Sequence, residues 1–359
     1  MLLSYFINKI FYAALTLFGV VTVIFFLFNV LPGDPAQMML GQNEDSHQLA
    51  IVKAKYGFDK PLSTQYLYYL NDLSPLSFHS KQADHYTFLA KDKYSAVKLV
   101  SIGDVNIALK APYLRESFTK QGKKVTAVIG ETLPNTFVLA ISAITIAIVM
   151  GLVLGVVSAL FKDRWLDRLI QVFSTFGMSV PSFFSAILFA WLFGFVWHEY
   201  THLEMTGSLY ELDDFGETMH LRWKNLILPA IVLGIRPLAV VIQLMRNSLL
   251  EVFNQDYIRT ARAKGLSEYQ IIIRHALKNA LNPVVTAISG WFASMLAGAV
   301  FVEYIFGWNG LGKEIVNALN TLDLPVIMGA VLVIATVFVS INIFVDIIYT
   351  WLDPKVKLE

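Results

Sequence analysis

Six apolar segments of about 20 residues or more alternate with polar stretches along the chain. They cover approximately Ile10–Val30, Leu133–Phe161, Leu169–Trp197, Leu226–Leu250, Pro283–Val302 and Val326–Leu352. None shows the alternation of polar and apolar positions that a strand would need, and a backbone inside a bilayer must satisfy its own hydrogen bonds. The pattern predicts an all-α, polytopic membrane protein with six transmembrane helices. In the second segment, Gly151 and Gly155 form a G-x-x-x-G motif that permits close helix packing.

Composition agrees with this prediction. Of 359 residues, 56% are hydrophobic and 15% are charged, and the mean hydropathy is +0.57, whereas soluble domains average about 25% charged residues. The formal net charge of +1 gives no indication of a nucleic-acid partner, and the absence of cysteine excludes disulfides and thiolate chemistry. The first segment is longer than the 7–15-residue apolar core of a typical signal peptide, so we interpret it as a retained anchor.

Lysine and arginine near the span ends predict the orientation. With a cytoplasmic N-terminus, that side carries Lys9, Lys162, Arg164, Arg168, Arg246, Arg259, Arg262, Lys264, Arg274, Lys278, Lys355 and Lys357. The short segments on the other side carry only Arg222, Lys224 and Lys313. Cytoplasmic loops are enriched in these residues, so both termini are predicted to lie in the cytoplasm.

The polar segment after the first span is too long for a bare loop. It contains Tyr66, Tyr68, Tyr69, Leu70 and Phe78, which can form a small core. The predicted organisation is therefore an N-terminal span over residues 1–30, an external insertion over 31–130, and a five-helix core over 131–359. That core includes a cytoplasmic loop at residues 251–282.

The cytoplasmic loop contains signals for two short helices. Side chains at residues 254–256 could cap a helix from Tyr257 to Lys264, which Gly265 would end in a left-handed conformation. The sequence Ser-Glu-Tyr-Gln from Ser267 predicts a capping box that opens a second helix through Leu281. Two interpretations are open: an amphipathic linker lying on lipid headgroups, or a rigid docking element for a soluble partner.

A family resemblance favours the docking element. The stretch DYIRTARAKGLSEYQIIIRHALKNAL, Asp256–Leu281, resembles the EAA loop of ABC importer permeases in the form found in dipeptide and oligopeptide permeases. Aligned on Gly265, Arg259-Thr260-Ala261 stands where the general pattern has Glu-Ala-Ala, and the usual proline is also missing. Six further motifs resemble the first permease subunit of that family: LPGDPA (31–36), YGFDKPL (56–62), ETLPNTF (131–137), SVPSFF (179–184), FGWNGLG (306–312) and DIIYTWLDPKV (346–356). Residues 74–100 have no counterpart.

The resemblance implies a peptide-import permease of the inner membrane without enzymatic activity of its own. Implied partners are a second permease in a heterodimer, two ATPase subunits that bind ATP and Mg²⁺, an extracytoplasmic solute-binding protein and membrane lipid. Nickel chelates and oligosaccharides remain alternative substrates. The mechanism implied is alternating access, driven through the loop. The predicted ATPase-coupling residues are Tyr257, Arg259, Thr260, Ala261, Arg262, Ala263, Lys264, Gly265, Leu266 and Ser267.

Polar residues within the spans predict a translocation pathway. Arg236, beside Pro237, lies near the middle of the fourth span, where a charge usually faces a cavity or a partner. Predicted pathway residues are Arg236, Ser179, Ser182 and Asp346. The alternatives are a structural pairing of Arg236 with Asp346, Glu303 or a backbone carbonyl, and a plain kink of the third span at Gly177 and Pro181.

Two other motifs indicate different chemistry. His198-Glu199-Tyr200-Thr201-His202 matches H-E-x-x-H, which on a helix would support the alternative function of a membrane-embedded zinc protease. A third ligand would have to come from His220, Glu204, Glu211 or Glu217. Residues 307–314 nearly form a P-loop, but Glu314 stands where a hydroxyl should bind Mg²⁺. We therefore expect no nucleotide site in this chain.

Overall fold

The computed structural model describes residues 2–30, 36–37, 46–120, 122–213 and 215–352. Its helices are α1 (Leu2–Val30), α2 (Ser46–Tyr56), α3 (Leu62–Leu73), α4 (Val125–Leu160), α5 (Trp165–Ser179), α6 (Ser182–Trp191), α7 (His198–Thr201), α8 (Lys224–Val252), α9 (Asp256–Ala263), α10 (Glu268–Ile271), α11 (Leu277–Ala280), α12 (Asn282–Phe306), α13 (Leu311–Asn320) and α14 (Leu324–Leu352). Single π-helical turns follow α6 (Leu192–Val196) and α10 (Ile272–Ala276). The strands are β1 (Leu76–Ser80), β2 (Ala96–Ile102), β3 (Val105–Lys110), β4 (Tyr210–Leu212) and β5 (Met219–Leu221). Most of the LPGDPA motif and the end of the last motif lie outside the described residues.

Four helices are long and apolar enough to cross a bilayer. The qualifying segments are Ile7–Asn29, Val125–Leu160, Lys224–Val252 and Leu324–Val345. Two bent pairs raise the count among the described residues to six if each pair is one span. These are Trp165–Ser179 with Ser182–Val196, and Glu268–Ala280 with Asn282–Ala297. The apolar pattern therefore located the spans. The third predicted span is divided between Ser179 and Ser182, whereas the fifth lies within α12, which the second bent pair joins to the loop helices before it.

The third predicted span is not one continuous helix. Helices α5 and α6 meet at an angle of 111°, far beyond the kink expected at Pro181. The predicted interruption at Pro181 is confirmed, but the plain kink was wrong, because proline restricts the residue before it to extended conformations and has no N–H to donate. Val180 has a ψ of 131° and Pro181 one of 139°, so two residues leave the helical conformation together.

The described residues divide into two compact units. One comprises Met1–Ile10, Thr132–Val316 and Thr336–Glu359, and the other Phe11–Glu131 and Asn317–Ala335. We call the first the helical unit and the second the insertion unit. In the helical unit, α4 packs closely on α8, because a Cβ at Gly151 or Gly155 would come within 2.8 Å of Val241 or Met245. The G-x-x-x-G motif is thus a packing element, as predicted.

The insertion unit combines helices with an antiparallel sheet that the sequence did not predict. The sheet order is β1-β3-β2, and Phe78 on β1 pairs with Ile107 on β3. Within this unit, Tyr69 on α3 is buried and stacks on Phe25 of α1, with ring centroids 5.6 Å apart. Aromatic pairs of this kind contribute more stabilising free energy than the area they bury would by itself. Of the residues expected to form a small core, Tyr69 is buried and Tyr66 and Leu70 pack against the same cluster. The inclusion of Phe78 was wrong, because its side chain is 55% exposed on β1.

Candidate coupling loop and translocation cavity

Helix α9 in the cytoplasmic loop has one buried face and one exposed basic face. Ile258 is fully buried and Ala261 is 5% exposed, whereas the Arg259 side chain is 70% exposed. The buried face packs in a cluster with Leu249 of α8 and Ile271 of α10. Burial of apolar side chains stabilises by about 25 cal/mol per Å², so α9 is fixed to the ends of the neighbouring helices. Its charged side remains open to a partner.

The corner between α9 and α10 has the geometry predicted from the sequence. Gly265 has a φ of +78°, in the left-handed region that side chains rarely adopt. The Ser267 hydroxyl accepts a hydrogen bond from the Gln270 N–H, and the Gln270 side chain accepts one from the Ser267 N–H, which completes a capping box. Both local predictions are confirmed.

The predicted cap at residues 254–256 is wrong. Gln255 occupies the N-cap position of α9 and makes no side-chain capping hydrogen bond. Asp256 is instead the first residue of the helix, where its negative charge favours the helix N-terminus. Asn254 lies one residue before the N-cap, and its side-chain amide donates back to the Leu250 carbonyl at 3.0 Å.

Side chains of the loop brace one another across the corner. The Arg262 guanidinium lies 3.1 Å from the Glu268 carboxylate, and the Asn279 amide donates to the Tyr257 hydroxyl at 2.7 Å. Thr260 donates to the Asp256 carbonyl. Among the predicted coupling residues, Ala261 is buried and Leu266 is half-buried; the exposed ones are Tyr257, Arg259, Thr260, Arg262, Ala263, Lys264, Gly265 and Ser267. The loop therefore presents a contiguous exposed surface on a braced backbone.

A buried ion pair at the ends of α5 and α8 was missed by sequence reasoning. Asp167 is 2% exposed and accepts two hydrogen bonds from the Arg246 guanidinium, at 2.8 Å and 2.7 Å. Ser158 and the Asp163 N–H donate to the same carboxylate. Bidentate pairs of this kind are strong and directional. The only sequence signal is an acidic residue in the first turn of an apolar helix, and its partner lies 79 residues away.

Two of the four predicted pathway residues line one cavity. Arg236 of α8 and Ser182, the first residue of α6, border a cavity of about 80 Å³ beside the break at Pro181. Ser179 instead donates to the Thr175 carbonyl within its own helix at 2.8 Å. The side chain of Asp346 lies outside the described residues. The broken helix thus brings a hydroxyl and a guanidinium to one cavity.

Arg236 is exposed to this cavity, and none of the carboxylates that the structure describes forms an ion pair with it. Glu303, one suggested partner, is fully buried elsewhere. Its carboxylate accepts hydrogen bonds from the N–H groups of Gly312 and Lys313 at the start of α13. Pairing of Arg236 with Glu303 is therefore excluded.

The same contacts explain why residues 307–314 do not form a phosphate site. The Glu303 carboxylate occupies the helix N-terminus where a P-loop would hold phosphate, and a Cβ at Gly310 would collide with it. Trp308 is fully buried and its indole N–H donates to the Asn135 carbonyl at 3.0 Å. The turn is a buried packing element rather than a nucleotide site.

The H-E-x-x-H motif lacks the geometry for zinc. Helix α7 spans only four residues, and His202 lies beyond its end with a φ of +53°. The two histidines therefore do not share a helix face, and His198 Nδ1 is hydrogen-bonded to the Leu203 carbonyl at 2.7 Å. Among the described residues, no group of three or more His, Cys, Asp or Glu side chains could hold a metal ion. The zinc-protease alternative has no support.

These features define a multi-pass helical membrane protein with a braced basic loop between two of its spans. Two family models match the chain. One, described as the binding-protein-dependent transport system inner membrane component, covers residues 151–358. The other, the N-terminal part of the binding-protein-dependent transport system membrane component, covers residues 2–87. The chain belongs to this family of transport permeases, which confirms the predictions of an ABC importer permease subunit, of an inner-membrane location and of no enzymatic activity of its own.

Curated relatives match over nearly the whole chain. The dipeptide transport system permease protein DppB of Alkalihalophilus pseudofirmus is 32% identical over 99% of this chain and 100% of its own length. The probable D,D-dipeptide transport system permease protein DdpB of Escherichia coli is 30% identical over 94% of this chain and 93% of its own. A solved structure of the inward-facing MetNI methionine ABC transporter matches with a TM-score of 0.48 at 16% identity, over 62% of this chain and 95% of that chain.

Permeases of this family work with a second permease, an ATPase and a solute-binding protein. Within the described part of the chain, the site residues fall into two groups, the braced loop around Gly265 and the cavity around Arg236. Helix α8 links the two groups, since it carries Arg236 and its C-terminal end packs against the loop. The packing of α9 against the end of α8 connects them.

Proposed function

We propose that this chain forms one half of the translocation pathway of an ABC importer for short peptides. The peptide substrate is supported by relatives at 30–32% identity whose names specify dipeptide transport. Coupling to ATP hydrolysis is assigned to the loop from Asp256 to Leu281. The observation that carries the proposal is α9, whose apolar face is buried in the chain while the Arg259 side is 70% exposed.

The packing of this loop suggests how motion would pass into the spans. The cluster that buries Ile258 also contains Met245 and Leu249 of α8 and Val284 of α12. Because protein interiors are close-packed, a displacement of α9 is transmitted to these helices rather than absorbed. Alternating access would result when a partner ATPase moves the loop and α8 carries Arg236 with it.

The complete importer is proposed to contain this chain in a heterodimer with a second permease. Two ATPase subunits would bind ATP and Mg²⁺ and contact the loop on the cytoplasmic side. A solute-binding protein would deliver peptides on the opposite side, where the insertion unit lies if both termini are cytoplasmic. This orientation rests on the distribution of lysine and arginine around the spans.

Arg236 is proposed to attract the carboxylate of the peptide. It borders the cavity at the broken helix and none of the described carboxylates pairs with it. A charge near the middle of a span is costly, so its retention in an open cavity favours a functional role. Ser182 at the same cavity can donate a hydrogen bond to a substrate oxygen.

Single-cysteine cross-linking tests the proposed coupling surface. The natural chain contains no cysteine, so an Arg259→Cys variant offers one defined thiol on the exposed side of α9. In membranes containing the whole importer, we expect a short thiol–amine cross-linker to join this position to an ATPase subunit. A membrane-impermeant maleimide added to intact cells should leave it unlabelled.

Lys91→Cys, at an exposed position of the insertion unit, is the matched control for the labelling. It should react with the impermeant maleimide and form no ATPase cross-link. Labelling of position 259 from outside, or cross-linking of the ATPase to position 91 instead, would show that the proposed orientation and coupling surface are wrong.

Replacing Arg236 by glutamine tests the pathway. Loss of a charge-assisted hydrogen bond to the substrate should lower peptide uptake by at least about tenfold, while the amount of assembled complex stays unchanged. Arg222→Gln, at an exposed position just before α8, is the control and should keep normal uptake. If Arg236→Gln transports a dipeptide at the normal rate, the guanidinium has no role in the pathway.

A further inference from the structure

The insertion unit contains a cleft that the importer mechanism does not use. Its volume is about 530 Å³, and its lining includes Tyr56, Phe58, Tyr86, Lys93, Glu116 and Phe118. Small-molecule sites usually measure about 300–1,000 Å³ and combine apolar walls with a few placed polar groups. The cleft lies wholly within one compact unit. Both its size and its lining are typical of a ligand site.

One wall of the cleft is a cluster of three aromatic rings. Tyr56 stacks on Phe58 with centroids 5.9 Å apart, and Phe118 meets both edge-on at 6.5 Å and 6.1 Å. All three side chains are half-buried, so part of each ring still faces the cleft. Aromatic faces of this kind accept apolar side chains and attract cations.

A cationic group, Lys93, also lines the cleft. Lys93 Nζ lies 3.7 Å from the centre of the Tyr86 ring and donates to the Tyr86 carbonyl at 3.0 Å. Burial lowers the pKa of Lys93 to about 8, so the ammonium is poorly hydrated and would gain from an anionic ligand. The Tyr86 hydroxyl is fixed in turn by a 2.7 Å hydrogen bond to Asp72, which is fully buried.

The cleft also holds negative charge. Glu116 is half-buried and lines it, together with the exposed Asp84 and Asp92. Glu116 and Tyr56 line the same cleft, and burial and then the charge of Glu116 raise the pKa of Tyr56. Within the described residues no ion pair joins Lys93 to Glu116. Each charge therefore remains able to meet an opposite charge on a ligand.

We propose that this cleft binds a short zwitterionic peptide, with its carboxylate at Lys93, its ammonium at Glu116 and an apolar side chain on the Tyr56–Phe58–Phe118 wall. The ligand class follows from the cleft itself. The location of the cleft outside the cell, on the side where peptides arrive, rests on the proposed function. A dipeptide carries both charges and one or two side chains within a volume that the cleft accommodates.

Equilibrium dialysis of radiolabelled Ala-Phe against the full-length chain in lipid nanodiscs tests the proposal. No solute-binding protein, ATPase or nucleotide is added. We expect saturable binding that weakens at least about tenfold with Lys93→Met, because a charge-assisted hydrogen bond is lost. N-acetylated Ala-Phe and Ala-Phe amide should compete at least about tenfold less well than the free dipeptide. Lys91→Met removes an exposed lysine two residues away and should bind normally.

Glu116→Gln keeps the size of the side chain and provides a second variant if Lys93→Met fails to fold. It should weaken binding of the free dipeptide and leave binding of the N-acetylated form unchanged. The proposal is overturned if Ala-Phe does not bind, or if both variants bind it as the natural chain does. Equilibrium dialysis requires neither ATP hydrolysis nor peptide uptake. A negative binding result would therefore overturn this proposal without affecting the cross-linking and uptake tests of the proposed function.

Discussion

Replacing Gly265 by valine should abolish peptide uptake while the partner ATPases continue to hydrolyse ATP. Gly265 has a φ of +78° at the corner between α9 and α10. A β-branched residue in the left-handed region costs about 1–2 kcal/mol or more, so the corner would relax to another conformation. Since about 1.4 kcal/mol changes an equilibrium tenfold, the loop would no longer hold α9 in its docking orientation in most molecules. Uptake of a labelled dipeptide and ATP hydrolysis by the reconstituted importer measure the two activities separately.

Two control variants separate backbone conformation from side-chain contact. A Cβ at Gly265 would meet no atom within 4 Å, so any effect of a substitution there must come from the strained backbone conformation and not from a steric clash. Gly265→Asn should therefore keep most uptake, because asparagine tolerates the left-handed region. Gly103→Val imposes comparable strain, at a φ of +52° with open space around it, in the insertion unit; it should not uncouple ATP hydrolysis. Equal loss of uptake in both Gly265 variants would contradict the conformational explanation.

Removing the Asp167 carboxylate should produce the largest loss of stability. Asp167→Ala leaves the Arg246 guanidinium, which is 18% exposed, without its bidentate partner. Loss of one member of a buried ion pair costs about 3–5 kcal/mol, because the remaining charge is still desolvated. Chemical or thermal unfolding of the detergent-purified chain measures the change. A smaller amount of folded protein in the membrane should accompany it.

An exposed ion pair of the same chain provides the comparison. Lys123 and Glu131 lie 2.6 Å apart, with side chains 36% and 62% exposed. Glu131→Gln should cost less than about 1 kcal/mol, since exposed pairs contribute little. Replacing both Asp167 and Arg246 by leucine should restore part of the stability that Asp167→Ala loses. If Asp167→Ala and Glu131→Gln lower the free energy of unfolding equally, the buried ion pair contributes no more stability than the exposed one.

Features of the loop could be predicted from the sequence where a few neighbouring residues determine the backbone conformation. The left-handed Gly265 and the capping box of Ser267 and Gln270 each depend on contacts within about one helical turn. The cap predicted at residues 254–256 is wrong, because three adjacent polar residues in a sequence do not indicate which of them lies at the N-cap position. Gln255 lies at the N-cap position and makes no capping hydrogen bond, and the Asn254 side chain donates to the Leu250 carbonyl.

The candidate site was only partly predictable. An isolated arginine within an apolar segment singled out Arg236, because such a charge is costly in a bilayer. Pro181 identified the place where the third span is interrupted. The 111° angle that brings Ser182 to the same cavity was not predictable, since proline sets only the local backbone, and tertiary packing sets the direction of the next helix.

By itself, the sequence determined the apolar segments, the corner at Gly265 and the family of the chain, because these depend on composition and on residues adjacent along the chain. Only the tertiary structure decided which distant residues meet. It paired Asp167 with Arg246, placed the Glu303 carboxylate at the start of α13, and built the cleft around Lys93. Such contacts arise from the packing of whole helices and strands, and no periodicity within one segment encodes them.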